Sequence, residues 1–332
     1  MLLQWRHVTT VLANPTTPSS TGCARIAGKA RADAPAGPAR RCFDAPVPLA
    51  LWHLSSLDAP TVAVVWALAF AWAARVPLPA WTPVLLALVA WPVYIADRLL
   101  DVRAAFRTAQ AHPLRLRHYF HWRHRRFFIP LAAVSACVAA WIILDYMPVA
   151  ARERNSILVA AGLAYFSSVH AGRSLSRFLS GLLAPLLTKE TLVAVIFTAA
   201  CALPTLGRAA ASAPAHSASP MWSLGFTMVY FTLLAWLNCH SIERWEFGED
   251  DSRGDHSRRR GTFSRAIGLG LAGLLLAAAL SPNHRIALLV ASGAAAALLL
   301  ALLDRLRGHL TPLALRAAAD LVLLTPVPFL FR

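Results

Sequence analysis

The chain has 332 residues, of which 57% are hydrophobic and only 14% charged. A soluble domain carries about one quarter charged residues, so this balance excludes an ordinary water-soluble globular protein. The formal net charge of +16 would suit nucleic acid, but the arginines sit in short stretches between long apolar runs, which points to anionic lipid headgroups instead.

Residues 1–56 stand apart. The stretch "NPTTPSSTGCARIAGKARADAPAGPARR" is rich in Ala, Pro, Ser, Thr and Arg and has no apolar stripe at helical spacing. It reads as a disordered basic tail. It lacks the apolar core of a secretory signal. The following "PLALWHLSSL" predicts a short interfacial helix just before the membrane. Five cysteines are scattered along the chain with no CxxC pair, so neither a disulfide framework nor a zinc site follows from them.

Residues 57–332 read as one polytopic, all-α membrane domain. Nine spans are predicted: about 59–76, 81–100, 127–146, 156–170, 182–203, 222–237, 264–280, 286–303 and 311–331. Most approach the roughly 20 residues needed to cross about 30 Å of hydrocarbon. The loops after even-numbered spans hold eighteen arginines and those after odd-numbered spans hold five. That asymmetry puts the N-terminus and the even loops in the cytoplasm. The usage of Ala, Arg, Leu and Pro suits a GC-rich genome and hence a bacterial inner membrane.

Two acidic stations fall on that predicted side. "YIADRLLD" ends the second span with Asp97 and Asp101, four apart and so on one helix face. Carboxylates at membrane depth are costly and usually functional. The sixth span ends in "LNCHSIERWEFGEDDSRGD", with Asn238, Glu243, Glu246 and Asp250. Glu246 and Asp250 repeat the spacing of four. Two such clusters facing each other would suit Mg²⁺, which prefers carboxylate and phosphate oxygens. Lys189, about seven residues into the fifth span, and Arg98 are candidate phosphate ligands; Tyr94 lies one turn before Asp97, where an interfacial-belt role competes with a ligand role.

Nine spans with acidic motifs after the second and the sixth resemble the UbiA superfamily of intramembrane prenyltransferases. The family's first motif, Asn-Asp-x-x-Asp-x-x-x-Asp, matches "VYIADRLLD" at Asp97 and Asp101, with Val93 and Tyr94 in the leading places. Its second, Asp-x-x-x-Asp, is similar to "EFGED", with Glu246 and Asp250. The resemblance covers roughly residues 57–330 and implies a UbiA-like bundle. It also implies Mg²⁺ held by Asp97, Asp101, Glu246 and Asp250. The implied activity is transfer of a prenyl group from a prenyl diphosphate to a small hydrophobic, aromatic acceptor, with Lys189 and Arg98 on the diphosphate. Tyr94, Asn238 and Glu243 are further candidates.

Two alternatives remain open at this point. One is a non-catalytic UbiA-like protein that binds an isoprenoid lipid. The other is a histidine-iron lipid desaturase or hydroxylase, suggested by "HPLRLRHYFHWRHRR", where His118, His121 and His124 recur every three residues. The competing explanation of that segment is a basic amphipathic loop lying on anionic lipid. No protein partner can be inferred.

Overall fold

The computed structural model describes residues 42–107, 114–170, 188–212, 219–247 and 256–331. These form α1 (Val47–Leu54), α2 (Asp58–Ala74), α3 (Trp81–Arg107), α4 (Leu116–Arg123), α5 (Arg125–Asp145) and α6 (Val149–His170). They continue with α7 (Lys189–Ser212), α8 (Ser219–Phe247), α9 (His256–Ala279), α10 (His284–Leu306), α11 (Pro312–Leu321) and α12 (Val327–Leu330). The only extended pairing among the described residues is one bridge between Phe43 and Leu310. The fold is all-helical.

Seven of these helices are long and apolar enough to cross a membrane, or eight if α1 and α2 make one span bent by 89°. Nine were expected. The difference lies in α2, which has only 17 residues, and in α6, whose first turns carry Arg152, Glu153 and Arg154. The predicted short helix before the first span is present as α1, and it packs inward, with Ala50, His53 and Leu54 buried.

At the centre α2 packs against α7, α8 and α10, while α7–α8 and α9–α10 form antiparallel pairs and α3–α5 a flank. Trp66 of α2 stacks on Phe231 of α8 at 3.9 Å between ring centroids, with Phe70 edge-on to Phe231 at 5.7 Å. α10 presents Ala294, Ala296 and Ala297, all fully buried. Small side chains let backbones approach closely, which matters where lipid tails are as apolar as leucine. Outward faces carry Ile129, Val134, Ile157, Leu163 and Leu275 exposed, as contact with hydrocarbon requires.

Breaks in the backbone are capped by side chains from neighbouring helices. Pro92 inside α3 cannot donate to the carbonyl of Leu88, and the Ser135 hydroxyl of α5 donates to it instead, at 3.0 Å. The sharp turn between α1 and α2 puts Ser56 at φ 57°, in the left-handed region. There the Trp91 indole donates to the Ser55 carbonyl at 2.9 Å. In the last span, Pro326 and Pro328 remove two donors, the helix tightens at Val322–Leu324, and Trp66 donates to the Leu323 carbonyl at 2.8 Å. Unsatisfied backbone groups are too costly to leave in hydrocarbon, so each break recruits a partner.

Of the cysteines, Cys137, Cys201 and Cys239 are free thiols.

Candidate functional site

One end of the bundle collects the start of α2 and the last turns of α3 and α8. The short helix α4 and the helix α11 join them there. Charged side chains from all of these converge at that end.

The centre of this end is Glu246. Its carboxylate accepts from Arg316 of α11 at 2.5 Å, from Arg117 of α4 at 3.3 Å and from Arg115, the residue just before α4. Three guanidiniums thus share one carboxylate. The Nε atoms of Arg117 and Arg316 are buried without a hydrogen-bond partner, as is that of Arg98. Burial, with the Arg316 and Arg98 guanidiniums nearby, pulls Arg115 down to about 10 and Arg117 well below the usual arginine range. Crowded cations that depress one another mark a place where an anion is welcome.

α4 ties the two acidic stations together. While Arg115 and Arg117 hold Glu246, His118 holds the other station. His118 Nδ1 accepts the Arg115 backbone N–H at 3.1 Å, which leaves its Nε2–H facing Asp101 at 3.5 Å. Burial lowers the His118 pKa, outweighing the nearby Asp101 carboxylate, which raises it. His121 is fully buried. Its Nδ1–H donates to the Arg117 carbonyl at 2.9 Å, and its Nε2 faces the Ser56 hydroxyl at 3.4 Å. The segment expected to lie on lipid as an amphipathic loop is therefore built into the bundle through Arg117, His118 and His121. Sequence periodicity missed this because α4 has only 8 residues.

Asp97 pairs with Arg98 at 2.9 Å. Arg98 is 7% exposed, and its guanidinium lies 5.8 Å from the centre of the Tyr94 ring. Tyr94 thus packs against the cluster. Lys189 is the first residue of α7, at the helix end rather than seven residues inside it, and its charge acts on Asp101 and Glu243. Glu243 is exposed at the same end. Asp250 lies outside the described residues.

A second knot lies beside the first. His53 Nδ1 sits 2.7 Å from Asp58 Oδ2 and 3.5 Å from Asp320 Oδ2. Asn238 Nδ2 donates to Asp320 Oδ1 at 3.3 Å. Arg316 and Asp320, one helical turn apart on α11, connect the knots. The chain pattern held a signal for this pair: a lone carboxylate inside the last apolar run, four residues after an arginine.

Of the four residues that the resemblance implies for magnesium, Asp97, Asp101 and Glu246 each face a basic side chain, and Asp250 lies outside the described residues. Mg²⁺ needs oxygens free to coordinate. Glu246 gives its oxygens to three arginines, Asp97 binds Arg98, and Asp101 faces His118. Among the described residues, Asp97, Asp101 and Glu246 do not gather into a metal-ligand group.

Compared with known proteins, the chain matches no family model, no curated protein and no solved structure.

Proposed function

We propose that the protein binds a prenyl diphosphate at the charged end of the bundle and transfers its prenyl group to a small hydrophobic, aromatic acceptor. The observation that carries this reading is the surplus of guanidinium groups around Glu246, with buried Nε donors left over on Arg98, Arg117 and Arg316. Guanidinium forks match phosphate oxygens two at a time, so a diphosphate satisfies donors that one carboxylate cannot. An amphiphile with a doubly phosphorylated head and an apolar tail suits a charged knot at the end of a membrane bundle.

The reaction class comes from the likeness of "VYIADRLLD" and "EFGED" to the prenyltransferase motifs. The allylic carbon–oxygen bond breaks, pyrophosphate leaves with the electron pair, and the acceptor's ring carbon bonds the prenyl group and loses its proton. The arginines neutralise charge on the leaving group as it develops. Asp101, fixed by His118, faces the same region.

A second reading, a non-catalytic isoprenoid-binding protein, is favoured by one fact. Asp97, Asp101 and Glu246 all have basic partners. Pyrophosphate release separates the two. The full chain in lipid nanodiscs should release pyrophosphate from geranyl diphosphate when an aromatic acceptor is present. Asp101→Asn should slow that release by about tenfold or more. No release from the unaltered chain, with geranyl diphosphate still bound, would establish the non-catalytic reading.

A further inference from the structure

The geometry points to a divalent-cation site formed by His53, Asp58 and Asp320, with Asn238 as a fourth donor. It does not depend on the proposed prenyl diphosphate.

The three ligand atoms of His53, Asp58 and Asp320 lie within 4.8 Å of one another. A divalent ion that holds its ligands at about 2.1 Å keeps them no more than about 4.2 Å apart, so closure needs only a small inward shift. His53 is 3% exposed and Asp58 5% exposed. The donors come from four helices: the last turn of α1, the first residue of α2, the second half of α8 and the end of α11. They converge on one point rather than lining one helix.

A proton alone leaves this knot incomplete. His53 Nδ1 lies 2.7 Å from Asp58 and 3.5 Å from Asp320, yet it is buried and makes a well-aligned hydrogen bond to neither. Arg98 acts on Asp58 and Arg316 on Asp320 through space. Neither makes an ion pair with those carboxylates among the described residues.

Asn238 supplies the independent pointer. It is 5% exposed, its amide touches Asp320, and its Oδ1 is buried with no hydrogen-bond partner. Half a turn of the amide exchanges oxygen for nitrogen, since the two are assigned rather than distinguished by shape. With a cation between them, that turn would set a neutral oxygen toward Asp320 as a further ligand; without one, two acceptors would face each other. One imidazole nitrogen with two carboxylates and an amide oxygen suits Mn²⁺: nitrogen favours transition metals, and oxygen favours the harder ions.

The test uses the full chain in detergent micelles, cleared of metal by a chelator and titrated with Mn²⁺. Electron paramagnetic resonance counts free ion, and spin-echo modulation reads any nitrogen bound to it. The expected result is one Mn²⁺ per chain with nitrogen modulation that His53→Gln abolishes, and affinity lowered about tenfold or more in Asp320→Asn. Absence of stoichiometric binding, or modulation that survives in His53→Gln, overturns the site. If His53→Gln does not yield monodisperse protein, Asp320→Asn and Asn238→Leu decide by affinity, and unchanged binding in both overturns it. No diphosphate enters the assay, so a negative result leaves the head-group reading untouched.

Discussion

Glu246 holds Arg115, Arg117 and Arg316 together and lets three cations occupy one corner of the bundle. As their counter-ion it competes with any incoming anion. Glu246→Gln should therefore tighten inorganic pyrophosphate binding, on the order of tenfold at low salt, as read by calorimetry. A metal ligand would behave oppositely, losing binding on the same substitution. His121 shows how burial sets a charge state. Burial pushes its pKa down to about 4, with the Arg117 carbonyl opposing and the Arg98 charge assisting. The unfolded chain binds that proton near pH 6.5, so the folded state holds fewer protons between those values. Stability from this group is complete above about pH 6.5 and is lost as pH falls toward 4, by up to about 3 kcal/mol. Thermal unfolding in detergent should show this loss, and His121→Gln should flatten it. An equal loss in the variant would remove His121 as its source.

The helices were legible as far as long apolar runs go. α3, α5, α8, α9 and α10 lie where hydropathy put them, because length and apolar content govern crossing a bilayer. What runs of apolar residues do not reveal is where a helix breaks and what covers the break. Pro92 was visible; its consequence, a bare Leu88 carbonyl taken by Ser135, needs the neighbouring helix. Ser135→Ala should lower the thermal midpoint in detergent through an orphaned buried carbonyl, a cost of about 1–3 kcal/mol. An unchanged midpoint would mean that the carbonyl finds another donor. The same limit explains α4. Eight residues, one leucine and the rest Arg, His and aromatics, have no membrane signature, so the segment suggested lipid contact while the fold turns it inward.

The arrangement of the bundle decides what the two acidic stations mean. Sequence put Asp97, Asp101 and Glu246 on one side, and the helices do bring those positions to one end. Among the described residues α4 joins the two stations, with His118 beside Asp101 and Arg115 and Arg117 on Glu246. Arg316 and Asp320 left a local trace, an arginine and a carboxylate four apart in the last apolar run, but their partners Glu246 and His53 lie far along the chain. Pairing across more than two hundred residues, as between His53 and Asp320, leaves no local pattern.

The central claim is that this arginine-rich end receives a diphosphate head. Calorimetric titration of geranyl diphosphate into the full chain in nanodiscs tests it, with Arg316→Gln alongside. One saturable site, weakened about tenfold or more by Arg316→Gln and by added salt, is the result predicted, since a hydrogen bond to a charged group contributes about 1.5–3 kcal/mol. No binding, or binding indifferent to Arg316→Gln, would contradict it.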